Sequence, residues 1–193
     1  MRSFTLSAAV CFVVISLITP SKAQTYDGHW WFSANEDRQS GYLEGIADCM
    51  TWDVRRSGFE GTSQQLRDGI TQYYKKHPQE KSKLVTVVWE YIWAKQVSKT
   101  KSGPPASGET WSKPHWYLDG NWWGQVTRET QKGFVDGYLS CTRSFVPAGR
   151  EAYPLTNSHY FQQIDAFINS HPNSSKKPIA LSLSRFRSVP QTN

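Results

Sequence analysis

Two carboxylates at matching places in a repeated stretch, Glu44 and Asp136, are the first residues whose spacing could carry chemistry. A pair of carboxylates can act as acid and base in glycoside cleavage. Each directly precedes a glycine on a predicted helix, and the simpler reading, preferred here, is two solvated helix positions. The five histidines, His29, His77, His115, His159 and His171, show no zinc-ligand spacing such as HExxH. His77 and His171 each precede a proline at a predicted helix end, where an imidazolium favours the helix C-terminus. No GxSxG is present, and Cys49 and Cys141 fall on glycine-rich helical faces expected to be buried, so a nucleophile is not expected. The expectation is therefore of no catalytic residues, no metal, no cofactor and no enzyme activity.

The element that positions these residues is written twice. DGHWWFSANEDRQSGYLEGIADC (27–49) and DGNWWGQVTRETQKGFVDGYLSC (119–141) share eight identities at a constant offset of 92 (119 − 27). Internal repeats of this kind organise a fold before any other signal does. In each copy Asp27 or Asp119 opens a turn that its side chain should hold by hydrogen bonds, and the WW pair begins a short helical turn. A longer helix follows, from about Glu36 to Thr51 in the first copy, with Ser33 or Asn35 as its cap and Ser33 with Glu36 at capping-box spacing; Thr127 is the cap in the second copy. Gly41, Gly45 and Cys49, and Gly133, Gly137 and Cys141, fall at i, i+4, i+8 on one face. Glycine inside a helix costs about 1 kcal/mol relative to alanine, and close approach of a second backbone is the compensation expected. Gly41, Gly45, Gly133 and Gly137 are thus predicted to form a helix seam near a pseudo-two-fold axis.

Beyond the seam helix, Thr62 with Gln65 has capping-box spacing, and Leu66, Ile70, Tyr73 and Tyr74 make an amphipathic stripe ending at His77-Pro78. Leu84, Val85, Val88, Tyr91 and Ile92 predict a further helix, with a strand as the minority reading of the β-branched run. In the second copy the offset becomes 94 (171 − 77), so Ile164, Phe167, Ile168 and His171-Pro172 match the first stripe. Pro178 sits near the first turn of a last helix. The fold expected is all-α: two pseudo-symmetric helical repeats packed together, a bundle resembling a fused dimer. The segments are a signal peptide at 1–23, repeat one at 24–98, a Pro/Gly/Ser-rich linker at 99–117, repeat two at 118–187 and a flexible tail at 188–193.

Met1 to Ala23 reads as a secretory signal, with Arg2 in the n-region, an apolar core from Phe4 to Ile18, and Ser21-Lys22-Ala23 before the cut. The apolar core is too short for a membrane span, so a periplasmic or secreted protein of about 170 residues (193 − 23) without a transmembrane anchor is expected. Its charge falls from +6 to +4 (6 − 2), with lysine and arginine scattered, which argues against a nucleic-acid binder. Export makes a Cys49–Cys141 disulfide possible; the alternative is two buried free thiols.

Nine tryptophans make the aromatics the main ambiguity. Trp30, Trp31, Trp122 and Trp123 could stack on sugar rings, peptidoglycan included, or fill the core between repeats, which is the preferred reading. The loop from Arg143 to Tyr153 is the longer of the two equivalent loops. Its Phe145, Arg150 and Tyr153 are the candidate partner contacts, since Arg and Tyr are frequent interface anchors.

Residues 40–50 (SGYLEGIADCM) and 62–92 resemble the Rap/Tai group of periplasmic immunity proteins through Gly41-Tyr42, Gly45, Asp48, Gln65-Leu66, Tyr74 and His77-Pro78. The second copy keeps Gly133-Phe134, Gly137 and His171-Pro172, with Ser140 in place of the aspartate. The resemblance implies a small helical protein that binds and blocks a cell-wall amidase delivered by type VI secretion, some members acting as dimers. The function expected is therefore an exported, non-catalytic binding protein of the immunity type, with a protein partner, an amidase of the cell wall. The alternative is a peptidoglycan-binding module using the DGxWW aromatics.

Overall fold

The computed structural model describes residues 24–54, 63–100, 118–147, 149–171, 176 and 178–186. The expected signal segment, most of the linker, the tail and the cap residue Thr62 lie outside them. The elements are α1 (Gly28–Ser33), α2 (Glu36–Trp52), α3 (Ser63–Lys76), a 3-10 turn (Pro78–Glu80), α4 (Val85–Thr100), α5 (Gly120–Gln125), α6 (Arg128–Phe145), α7 (Gly149–Ala152), α8 (Asn157–Ser170) and α9 (Ile179–Arg185). The protein is all-α, and among the described residues extended pairing is confined to two isolated bridges, Asp27 with Leu84 and Asp119 with Pro178. The 84–92 run is helical, not a strand. Val85, Val88 and Trp89 all reach the core from α4, which helical spacing allows. That helix continues to Thr100, over the first two residues of the expected linker.

Local chemistry sets the short helices. Asp27 Oδ1 accepts from the backbone N–H of His29 and Trp30, and Asp119 Oδ1 accepts from Asn121 and Trp122. These satisfy N–H groups that the start of a helix leaves without partners. Asn35, not Ser33, caps α2 through Arg38 N–H, and Thr127 caps α6 through Thr130 N–H. Each short helix is tied to its copy's last helix: Val85 N–H donates to Tyr26 O and Ile179 N–H to Leu118 O. Gln39 Nε2 donates to Trp31 O as Gln131 Nε2 does to Trp123 O, and the indole N–H groups of Trp31 and Trp123 reach Thr71 and Asp165, 94 residues apart.

The core lies where α2 crosses α6. A Cβ on Gly41 would stand 2.8 Å from Thr130 C, and one on Gly133 would stand 2.9 Å from Tyr42 N. On Gly45 it would meet Tyr138 N at 2.6 Å, and on Gly137 it would meet Tyr42 C at 2.7 Å. All of these neighbours are backbone, so the two helices touch main chain to main chain along the seam read from the sequence. The contacts are reciprocal: Gly41 lies over Thr130 and Gly133 over Arg38, each pair being the other displaced by 92. Cys49 and Cys141 close the same face at disulfide distance, with Cα atoms 6.2 Å apart. Tyr42, Leu43, Ile46, Phe134, Tyr138 and Leu139 fill the flanks.

Candidate recognition site

Asp136 sits on α6 one residue before the seam glycine Gly137, and it is 3% exposed. The reading of Asp136 and Glu44 as solvated helix positions is therefore corrected. The carboxylate is held from three elements. Arg38, in the first turns of α2, donates through Nε (2.9 Å) and Nη2 (2.5 Å) to Oδ2, and through Nη1 (3.1 Å) to Glu129. Tyr26 OH donates to Oδ1 at 2.6 Å. Asn157, at the start of α8, donates through Nδ2 to Oδ1 and to Tyr26 OH, each at 3.0 Å. Burial lifts the Asp136 carboxyl above the ordinary aspartate range, while Arg38, Tyr26 and Asn157 pull it down. Burial, and then the adjacent Asp136 charge, push the Tyr26 phenol upward, so it stays a donor. Burial works against the Arg38 charge, but Asp136 and Glu129 more than offset it.

Above this network opens a cleft of about 840 Å³. Tyr26, Arg38 and Asp136 form its floor, with Lys132 and Phe161 at the sides and the segment 153–158 as its rim. Arg143 fixes that rim, donating to Asn157 Oδ1 (2.8 Å), Tyr153 O (3.0 Å) and Leu155 O (3.0 Å). Leu155 is left 48% exposed on the edge. Three cations and one carboxylate line the cleft, with an apolar lip.

The matching place in the first copy is built differently. Glu44 corresponds to Asp136, Ser63 to Asn157 and Thr130 to Arg38, so the arginine is missing. Glu44 is half-buried with Oε2 enclosed, and burial lifts its carboxyl to about 7 against a hydrogen bond from Ser63 that lowers it. Asp48, one turn on, is fully buried with neither oxygen hydrogen-bonded, and burial followed by the Glu44 charge raises it well above the usual range. Its counterpart is Ser140. Among the described residues no group of three or more His, Cys, Asp or Glu could hold a metal.

The residues singled out from sequence are distributed as follows. Trp31, Trp123 and Trp30 are 0%, 2% and 8% exposed, so none offers a free face to a sugar ring. Trp122 is half-buried against Phe134, at 5.4 Å between ring centroids. Core packing, the reading preferred from sequence, describes three of the four, and sugar stacking by Trp30, Trp31 and Trp123 is set aside: Tyr26 and Tyr42 pack on Trp30, Trp30 on Trp31 and Phe134 on Trp123. In the loop, Tyr153 is 2% exposed and packs edge-on against Tyr160, and Phe145 packs on the core. Tyr153 is therefore not available as an anchor, since Arg143 holds its carbonyl and the ring lies inward, while Phe145, the last residue of α6, is half-buried. Arg150 lies in α7 with its side chain outside the described residues. Sequence reading missed Arg38, Tyr26 and Asn157. No local signal in the sequence marks Arg38; its place follows only once Gly41 is known to lie over Thr130, since the matching displacement then puts Gly133 over Arg38, one turn from Asp136. Comparison with protein-family models, with curated proteins and with solved structures gives no match.

Proposed function

We propose that the protein is an exported binding protein without catalytic chemistry, and that the cleft above Asp136 recognises a protein partner. The observation that carries this is the preorganised rim. Arg143 holds three acceptors of segment 153–157, so Leu155 is presented on a fixed edge beside Arg38 and Lys132. Rigid presentation lowers the ordering cost of binding, and an apolar contact beside charged groups gives affinity and orientation together. The reciprocal seam supports reading the chain as a dimer made in one polypeptide. With the likeness of its seam and His-Pro segments to immunity proteins, the partner we favour is a cell-wall amidase, its substrate groove occluded by the rim.

The experiment is capture from an envelope extract with the exported form, followed by an amidase assay on whatever is bound. Leu155→Asp should weaken capture at least about ten-fold, the scale of an interface hot spot, while circular dichroism stays unchanged. Capture unaffected by Leu155→Asp refutes the cleft. Fluorescence quenching by peptidoglycan fragments, with no protein captured, refutes the protein partner and favours a glycan.

A further inference from the structure

α4 buries Val85, Val88 and Trp89 on one side, yet Val87 and Tyr91 on the other, with Leu84 just ahead of the helix, are 49%, 44% and 40% exposed. Exposed apolar side chains grouped on one face mark an interaction surface. A chain of ring contacts, passing through the fully buried Tyr74, links this side to Phe32. Tyr91 lies 5.4 Å from Tyr73, Tyr73 lies 5.7 Å from Tyr74, and Tyr74 lies 6.3 Å from Phe32, which is 42% exposed. Ammonium groups sit at both ends: Lys81 Nζ is 5.1 Å from the Phe32 ring centroid and Lys95 Nζ is 4.3 Å from that of Tyr91. Lys75 and Lys76 stand exposed in the last turn of α3, the helix that carries Tyr73 and Tyr74.

The second copy shows that the fold does not require any of this. Its matching residues are Gly124 for Phe32, Asn169 and Ser170 for Lys75 and Lys76, Pro178 for Leu84 and Arg185 for Tyr91. The shorter last helix of that copy, α9, forms without counterparts to Phe32, Tyr91 or these lysines, although Phe167 stands at the place of Tyr73. We propose that the face formed by Phe32, Leu84, Val87 and Tyr91, edged by Lys75, Lys76 and Lys81, docks the protein on an anionic lipid surface. Lysine is depleted from protein–protein interfaces. It suits a bilayer boundary, where its stem lies along apolar side chains and its ammonium reaches the headgroups. The formal charge of the exported form, +4, adds long-range attraction. Among the described residues no helix is long and apolar enough to cross a membrane, so the contact is one of surface association.

Flotation of the exported form, Gln24 to Asn193, tests this with neutral phosphatidylcholine vesicles and with vesicles about one-third phosphatidylglycerol. Binding is expected on the anionic vesicles alone, and it should weaken as salt shortens the Debye length to about 3 Å near 1 M. Lys76→Glu and Lys81→Glu should each lower vesicle affinity about five-fold or more, and Val87→Asp should lower it at every salt concentration. Lys176→Glu makes the same charge change on an exposed site of the second copy and should have no such effect. Equal binding to both vesicle types, binding to neither, or an equal loss in Lys176→Glu overturns the proposal. So does a protein captured through this face from vesicle-free extract.

Discussion

Replacing Gly137 by alanine puts the seam to a test in which the sign of the effect decides. On an open helix face, glycine to alanine stabilises by up to about 1 kcal/mol, because alanine loses less backbone entropy. At Gly137 the added Cβ would stand 2.7 Å from Tyr42 C and 2.9 Å from Tyr42 Cα, and closer still to Tyr42 O. These are main-chain atoms of a helix that is itself held by Asp136, by the cysteines and by Gly41, so no side chain can swing aside. α2 and α6 must part by several tenths of an ångström or more, and contacts are lost along the whole crossing. Overpacking of this kind costs about 1–3 kcal/mol, which exceeds the propensity gain, so Gly137→Ala and Gly45→Ala should both be net destabilising. Gly69 on α3 is the internal control, since its Cβ would meet only Ile92 methyl groups at 3.5 Å, ordinary contact. Gly69→Ala should hold stability or raise it by up to about 1 kcal/mol. The assay is urea unfolding at constant m, with thermal midpoints expected to shift about 2–4 °C per kcal/mol for a chain of this size. Because both glycines separate the same two helices, the double variant should cost less than the two single variants combined. If Gly137→Ala is as stable as Gly69→Ala, the helices do not meet main chain to main chain there and the seam is wrong.

Three further outcomes follow from the same geometry. Replacing Cys49 and Cys141 by serine should cost about 4–5 kcal/mol, the chain-entropy value for a loop closed across 92 residues; two free thiols in a non-reducing mass measurement would refute the bridge. The raised Glu44 carboxyl gives stability that is complete below about pH 4.5 and is lost as pH rises to about 7, a decline of about 3 kcal/mol. Asp48 is displaced in the same direction and adds to that decline. Urea midpoints at pH 5 and pH 8 should show it, and Glu44→Gln should flatten it. Arg38→Met should cost about 3–5 kcal/mol by leaving the Asp136 carboxylate buried without its countercharge, and adding Asp136→Asn should restore much of the loss.

What could be read in the sequence was local or periodic. The aspartate caps of α1 and α5, the Thr127 cap and the facing of Gly41, Gly45 and Cys49 all follow from spacing along a few turns of one helix. Even the meeting of the two glycine faces was readable, because glycine inside a helix has few other reasons to recur at i and i+4. The polar cluster was not. Arg38 and Asp136 are 98 residues apart, and nothing along either helix says that the arginine of one copy lies across the seam from the aspartate of the other. Asp136 and Glu44 each look solvated on a single helix, because burial beside a glycine seam depends on how far the opposite helix spreads. Tyr153 misled for a related reason: an aromatic in a loop reads as a surface anchor until Arg143 is known to gather three acceptors of that loop. A tryptophan pair fixes that one ring turns inward, but not that Tyr26 and Tyr42 also cover the other in the first copy.

The residues identical in the two copies and the residues that differ do different physical work. Asp27 and Asp119, the tryptophan pairs, the four glycines and the two cysteines make caps, core and seam, and changing one would open a contact that both copies need. Arg38, Asp136 and Asn157 face Thr130, Glu44 and Ser63 at the corresponding places, and Phe32 and Tyr91 face Gly124 and Arg185. A dimer of identical chains cannot separate these roles, because each site appears twice under symmetry. Joining two copies in one polypeptide removes that constraint. One end of the seam then carries an arginine-bound aspartate under an open cleft, and the other carries Glu44 and the fully buried Asp48. A partner that reads the cleft meets it once per chain, and the lysine-edged face also occurs once, on the first copy. Divergence between the copies therefore locates recognition more sharply than the repeated stretch does, since what is repeated is what holds the copies together.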